Sequence, residues 1–481
     1  MEIVFMPTPA IGHLVSHVEF AKRLLDQDDR FSVTVLVINP VFAPEIRTYA
    51  ESLAASDGRL RFIDLSQIQF ALPSLPQTPK LLDKLRYIES HKLHVKQSLI
   101  NQVLLDSVSF AGLVVDTFTT PMIDVANELG LPSYLLNTSS AASLAFMLHL
   151  VSRHDQAAVA QDFQAPDTES VIPGYMNPVP IKVLNSLLFD KNWYNYFLNL
   201  VRRFKETKAM ITNSFAELEC HAVKSLLELE NNIRFYMVGP LLDLHGRSSS
   251  LCDKAQRNEV MKWLDNQPPS TVVFLCFGSL VPMDEAQARE IAQGLERCGH
   301  RFLWSVRIQM PMNDESEKPN NGTNLKEILP QGFSERTKGR GLVCSWAPQI
   351  EVLAHKSIGG FVSHCGWNSI LESLWYGVPI LTWPMYAEQQ RNAFQMVKDL
   401  GLAVEMRLDY KLGESDLVMA DEIEKAIKCL MGADSSASEV RIKVKKMSQV
   451  SKEAVMDSNG SSFTSFARLI EFMIDNAYNK P

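Results

Sequence analysis

Short apolar runs alternate along this chain with longer amphipathic segments, and the alternation continues through both halves. In the first half, residues 3–6, 33–38, 113–115 and 133–136 are apolar enough to predict buried strands, while 18–25 and 122–129 carry apolar side chains at helical spacing. The second half opens on a strand-like run at 272–277, continues through a helical pattern over 285–298 and returns to a strand at 302–306. Buried strands alternating with helices predict parallel sheets covered by helices, hence an α/β protein of two doubly wound, Rossmann-like domains. The first is expected over residues 1–240, ending at Val238-Gly239-Pro240, and the second over 259–460. Between them 241–258, with its polar Leu244-His245-Gly246-Arg247-Ser248-Ser249-Ser250, reads as a linker, and a cleft is expected at this hinge. Residues 309–324, rich in Pro, Asn and Gly, predict a mobile surface loop.

Composition narrows the chemistry. A chain of 481 residues exceeds one hydrophobic core, and 46% hydrophobic residues suffice to fill two. A net charge of −8 without a Lys/Arg run argues against nucleic acid and against anionic membrane surfaces, and favours small-molecule chemistry. The seven cysteines are odd in number and form no CxxC pair, so they predict reduced thiols rather than a disulfide framework or a zinc site. The N-terminus begins directly with a strand, without a basic segment leading into a long apolar one, and no run approaches the roughly 18 apolar residues of a membrane span. A cytoplasmic monomer is expected, in which the glycosylation patterns at Asn137, Asn321 and Asn459 are chance matches. Neither GxGxxG after a strand nor GxxxxGK[ST] occurs, which argues against a dehydrogenase or a P-loop enzyme.

The densest chemistry lies in residues 346–389. Gly359-Gly360-Phe361-Val362-Ser363 reads as a strand, His364-Cys365-Gly366 as a tight turn, and Trp367-Asn368-Ser369 as the start of a helix. A glycine turn opening into a helix aims backbone N–H groups and the positive dipole end at one spot, so a diphosphate is held there without Lys or Arg. His364, Asn368 and Ser369 add side-chain donors. Glu372, three residues beyond Ser369, falls on the same helix face and suits a ribose diol. Upstream, the indole of Trp346 and the amide of Gln349 suit a flat, hydrogen-bonding base such as uracil. Downstream, an apolar run ends at Glu388-Gln389, two side chains able to grip sugar hydroxyls. The order along the chain is base, ribose, diphosphate, sugar.

In length, end residues and internal spacing this stretch resembles the signature box of the plant family 1 UDP-glycosyltransferases. The resemblance extends to Val238-Gly239-Pro240, Trp263-Leu264 and Phe277-Gly278-Ser279, and so to essentially the whole chain. It is closest to the phenolic-modifying, UGT71-like branch. It implies a GT-B fold, two Rossmann-like domains facing each other, with a C-terminal helix at about 461–476 packed back on the first. It also implies a UDP-sugar site of Ser279, Trp346, Ala347, Gln349, His364, Gly366, Trp367, Asn368, Ser369, Glu372, Glu388 and Gln389, with Thr138 touching the transferred sugar. Gln389 accompanies glucose in the resembled family where His often accompanies galactose, and Trp367 stands where glucuronic-acid users often carry Arg, so UDP-glucose is the expected donor. No cofactor or metal is expected.

A base comes from the first half. His13 follows the opening strand through Pro7-Thr8-Pro9-Ala10-Ile11-Gly12, and Asp116 ends Gly112-Leu113-Val114-Val115; both reach the carboxyl edge where parallel sheets place ligands. An imidazole with a pKa near 6.5 is mostly neutral in the cytosol and can take a proton from a hydroxyl, with Asp116 orienting it. The resemblance assigns the same two residues as base and partner. His17 is expected at the surface or behind His13. By family position Ile11, Phe118, Leu187, Tyr386 and Ala387 are expected to wall the acceptor, a small phenolic, flavonoid or terpenoid. A non-catalytic nucleotide-sugar binder and an epimerase of similar architecture are the rival classes; the intact His13 and Asp116 oppose the first and the 346–389 box the second.

Overall fold

The computed structural model describes residues 1–40, 43–53, 58–67, 76, 79–105, 109–155, 168–229, 233–246, 253–278, 283–306, 328–432 and 435–479. Ser279, the 309–324 segment, Asn321 and part of the expected linker lie outside them. The fold divides into two compact units, one of Met1–Pro178, Ser186–Leu251 and Ser451–Pro481, the other of Val179–Asn185 and Cys252–Val450.

The first unit holds strands β1 (Glu2–Met6), β2 (Ser32–Val37), β3 (Leu60–Asp64), β4 (Ser109–Asp116), β5 (Ser133–Asn137), β6 (Ala209–Thr212) and β7 (Arg234–Met237). They form one parallel sheet in the order β3-β2-β1-β4-β5-β6-β7. Strand order reverses between β1 and β4: the chain leaves β1 toward β2 on one side and β4 toward β5 on the other. That is the switch point at which a doubly wound sheet opens a crevice beyond its carboxyl edge. Helix α1 (Ile11–Gln27) follows β1; Leu14, Val18, Ala21 and Leu25 recur on its buried face at helical spacing and pack on the sheet.

The second unit repeats the plan with β8 (Val272–Cys276), β9 (Arg301–Ser305), β10 (Gly341–Cys344), β11 (Ile358–Ser363), β12 (Ile380–Thr382) and β13 (Ala403–Glu405), parallel in the order β10-β9-β8-β11-β12-β13. Its switch point lies between β8 and β11, whose last residues Cys276 and Ser363 are in register. Helix α2 (Glu285–Cys298) has the ends its sequence pattern predicts: Asp284 accepts from the Gln287 N–H at the start, and Gly299 closes the other end in the left-handed region. Leu275, Ile291, Leu295, Trp304 and Trp383 pack together in the second core. The functional helices here are α3 (Gln349–Ala354), α4 (Trp367–Tyr376) and α5 (Gln389–Phe394).

Two segments depart from the predicted division. Residues 179–185 pack with the second unit: Asn185 Nδ2 donates to the Ala387 carbonyl at 2.9 Å, and Lys182 lies 3.2 Å from Asp409. Residues 451–460 go with the first unit, because the division falls inside the long helix Ser435–Met456. The C-terminal helix α6 (Ser461–Asp475) supplies Phe466, Leu469, Ile470 and Met473 to the first core, and β14 (Tyr478–Asn479) pairs antiparallel with the start of β4. The Phe466 ring stands 5.0 Å from that of Phe20, with the Arg23 guanidinium 5.7 Å from its centroid.

Because Phe466 is fully buried, Phe466→Ala is expected to cost about 3–5 kcal/mol. Hydrogen exchange should show protection lost across β1, β2 and β5 and retained in β8 and β11; unchanged protection in the first sheet would contradict this packing.

Candidate functional site

At the first switch point, His13 lies in the first turn of α1 and Asp116 at the end of β4. Val115 is in register with Met6, so the carboxylate rises level with the loop leaving β1. The His13 Nδ1 and Asp116 Oδ2 are 2.8 Å apart. Asp116 is fully buried, whereas the His13 side chain keeps 29% of its surface exposed. Burial alone would push the Asp116 carboxyl up; the charge and hydrogen bond of His13, aided by His17 and Thr8, outweigh it and hold the group below the ordinary carboxylate range. Asp116 is therefore ionised at neutral pH. Phe118 flanks the imidazole, with ring centroids 6.2 Å apart, and Ile11 is half-buried one residue into α1.

Two further residues stand against this pair. Thr138, expected to touch the sugar, has its hydroxyl 3.0 Å from His13 Nδ1. Of the two places expected for His17, the structure has the one behind His13: it is fully buried, its Nδ1 donates to the His13 carbonyl at 2.9 Å and lies 3.8 Å from Asp116 Oδ2. Burial lowers its pKa, against the pull of Asp116, and keeps it neutral.

At the second switch point the turn after β11 places His364 opposite the end of β8. Its ring is flanked by two glycines: a Cβ on Gly278 would lie 2.9 Å from Nε2 and one on Gly366 2.6 Å. Gly366 therefore makes room for His364 as well as for a ligand. Between them Cys365 takes a left-handed φ of 60°, held by its own N–H on Ser363 Oγ at 3.1 Å and by Asn392 Nδ2 on its carbonyl at 3.0 Å. Burial drives the His364 imidazole down to about 4, offset only in part by the Cys276 backbone, so it faces the turn as a neutral dipole. Gly366 is the N-cap of α4 and offers no side-chain cap, so the positive end of the helix dipole faces the turn.

The remaining box residues gather in the same unit. Gln349 Nε2 donates to Ser369 Oγ at 2.8 Å and to Glu372 Oε2 at 2.6 Å, tying the start of α3 to the face of α4. Trp346 is half-buried in the loop after β10, with Ala347 buried beside it. Asn368 is half-buried in the first turn of α4. Trp367, read as facing the sugar, is only 2% exposed, so its indole belongs to the interior. Gln389 Oε1 accepts from the Met385 and Tyr386 N–H groups at 3.0 and 3.1 Å, closing the turn that carries Tyr386, Ala387 and Glu388. Burial first, then the nearby Glu388 carboxylate, push the Tyr386 phenol up to about 12. Leu187 is half-buried in the short 3-10 turn Ser186–Phe189. An Asp-x-Asp pair, of the kind that can bridge a divalent cation to a diphosphate, occurs at Asp26-Gln27-Asp28; it lies at the opposite end of α1 from His13, and Asp28 is engaged by Arg30.

A model of the family described as UDP-glucoronosyl and UDP-glucosyl transferase matches residues 45–435. The chain belongs to this family. It is 49% identical to UDP-glycosyltransferase 71K1 of Malus domestica, over 98% of this chain and 99% of that one. It is 44% identical to UDP-glucose flavonoid 3-O-glucosyltransferase 6 of Fragaria ananassa, over 98% of both. The crystal structure of Medicago truncatula UGT71G1 complexed with UDP-glucose is similar with a TM-score of 0.87 at 43% identity, covering 98% of each chain. The protein is thus a plant UGT71-like UDP-glycosyltransferase of the GT-B fold. Among the described residues no helix is long and apolar enough to cross a membrane.

Spacing did not mark Asn185 or Asn392, whose contacts come from across the fold rather than from local pattern.

Two outcomes follow from the second switch point. Gly366→Ala should displace the His364 ring and weaken UDP binding at least tenfold by calorimetry, with an unchanged circular dichroism spectrum. His364 is held neutral with a native pKa of about 4 against an ordinary 6.5, so its contribution is intact above pH 6.5 and is lost as pH falls toward 4. Replacing it in His364→Asn should flatten the pH dependence of urea stability in that window by on the order of 3 kcal/mol; an unaltered slope would show that the imidazole is not buried in neutral form.

Proposed function

We propose that this UDP-glycosyltransferase transfers glucose from UDP-glucose, with inversion, to a hydroxyl of a small apolar plant metabolite, and that His13 is the general base with Asp116 as its partner. The observation that carries the reading is the 2.8 Å contact from Asp116 to Nδ1 of a partly exposed His13 at the switch point of the first sheet. With Nδ1–H committed to a buried carboxylate, the basic lone pair is at Nε2, toward the acceptor. Nε2 takes the acceptor proton, the oxygen forms a bond to C1 of the sugar, and the bond from C1 to the diphosphate breaks with its electron pair leaving on UDP. Asp116 stays ionised and stabilises the imidazolium as it forms.

On the donor side, the α4 amides and the neutral His364 would receive the charge growing on UDP without desolvating a cation. Trp346 and Ala347 would frame the base, Gln349 would brace Glu372 against the ribose, and Asn368, Ser369 and Ser279 would serve the phosphates. Glu388 and Gln389 would hold the sugar. Phe118, Ile11, Leu187, Tyr386 and Ala387 would wall the acceptor, and phenolics or flavonoids suit such a wall. Relatives named as flavonoid and flavonol 3-O-glucosyltransferases support that class. The free thiols among the described residues fit a reducing compartment, and a cytoplasmic monomer is the form we assign.

His13→Ala should leave UDP affinity within about twofold while lowering turnover a hundredfold or more; turnover like wild type would remove His13 from the mechanism. Asp116→Asn should lower turnover as well and shift the acidic limb of the pH profile. With equal UDP-glucose and UDP-galactose, glucose should dominate the product in a mass-spectrometric competition, and a galactoside majority would overturn the donor assignment.

A further inference from the structure

Asn185 comes from the sequence of the first half, yet it packs within the second unit, where its Nδ2 donates to the Ala387 carbonyl at 2.9 Å. Ala387 is one of three non-glycine residues with positive φ among the described residues, at 60°. An alanine in the left-handed region reverts unless its surroundings fix it. The carbonyl that Asn185 holds and the N–H of Glu388 belong to the same peptide plane. Fixing one therefore fixes the other, and with it the direction in which the Glu388 side chain departs.

The turn is also braced from inside, by Gln389 Oε1 on the Met385 and Tyr386 N–H groups. That bond orients Gln389 but does not reach the Ala387–Glu388 peptide. We propose that Asn185 is a positioning residue for the transferred sugar, locking the Ala387 turn so that Glu388 and Gln389 meet its hydroxyls in one arrangement. The segment 179–185 is then a donor-side specificity element outside the 346–389 box. Lys182, 3.2 Å from Asp409, holds a second point of the same segment to this unit. The inference rests on the reading of Glu388 and Gln389 as sugar contacts.

The two can be separated by experiment. Asn185→Ala is expected to raise the KM for UDP-glucose three- to tenfold and to reduce glucose over galactose selectivity in equal-donor competition. The affinity for UDP itself should stay unchanged, because UDP has no sugar to meet the turn. Asn185→Leu, similar in bulk but without an amide, should behave alike if truncation lowers the melting temperature. Gln389→Ala serves as the reference. If Gln389→Ala alters sugar selectivity and neither Asn185 variant does, the role given to Asn185 is wrong. If neither position affects selectivity, the reading of Glu388 and Gln389 fails and takes the inference with it. If UDP and UDP-glucose affinities fall together, Asn185 is a general support of the fold and the inference is overturned.

Discussion

The polar side chains on which the proposed chemistry centres, the His13–Asp116 pair and His364, stand where strand order reverses between two central parallel strands. Where one connection turns left and the next turns right, the two carboxyl ends are not covered by a crossing helix, and side chains placed there meet a ligand rather than a core. The first unit puts His13 and Asp116 at the ends of β1 and β4; the second puts Gly278 and His364 at the ends of β8 and β11. The apolar layers around Phe5, Val33, Leu275 and Trp304 keep these strands in register, so the distance from His13 to Asp116 is a property of the sheet more than of the loops.

The two switch points hold histidine in opposite environments. The His13 imidazole is partly open and lies 2.8 Å from the buried Asp116 carboxylate, the arrangement that the proposed proton transfer calls for. His364 is fully buried between two glycines, and burial holds it neutral, near pKa 4. Asp116 shows the balance most sharply. Burial opposes its charge, and the imidazole of His13, first of all, reverses that effect. Removing that imidazole leaves an underpaired buried carboxylate, which is costlier than the loss of a single surface ion pair.

Much of this was legible in the sequence where a local pattern dictates structure. The helix over 285–298 carried its own start in Asp284 and its own stop in Gly299, and its predicted ends agree with the observed ones. The strand, turn and helix over 358–376 could be read because a glycine turn between an apolar run and a helical pattern has few other conformations. The edge strands Leu60–Asp64, Ala403–Glu405 and Tyr478–Asn479 could not: each is short, and the half-polar Leu60-Arg61-Phe62-Ile63-Asp64 has no run to announce it. For His17 the sequence left surface and a place behind His13 open, and tertiary packing decides for the second, while the contact of Thr138 with His13 spans 125 positions and has no local pattern. The exchange of residues 179–185 into the second unit has no local signature, since it depends on partners two hundred positions away.

Rigidity on the donor side comes from strain that is held in place. Cys365 and Ala387 both sit at φ 60°, a conformation that costs a non-glycine residue about 1–2 kcal/mol. Glycine would remove that cost but would also leave each turn free to adopt its mirror conformations, and a loose turn cannot present amides or carboxylates at fixed distances. A side-chain amide from another part of the fold holds each strained carbonyl instead, Asn392 for Cys365 and Asn185 for Ala387. Asn392 is fully buried, and its Nδ2 reaches the Cys365 carbonyl from helix α5. A hydrophobic residue of similar size would fill the same space but could not hold that carbonyl, so the amide at this position serves the Cys365 turn as well as the surrounding packing.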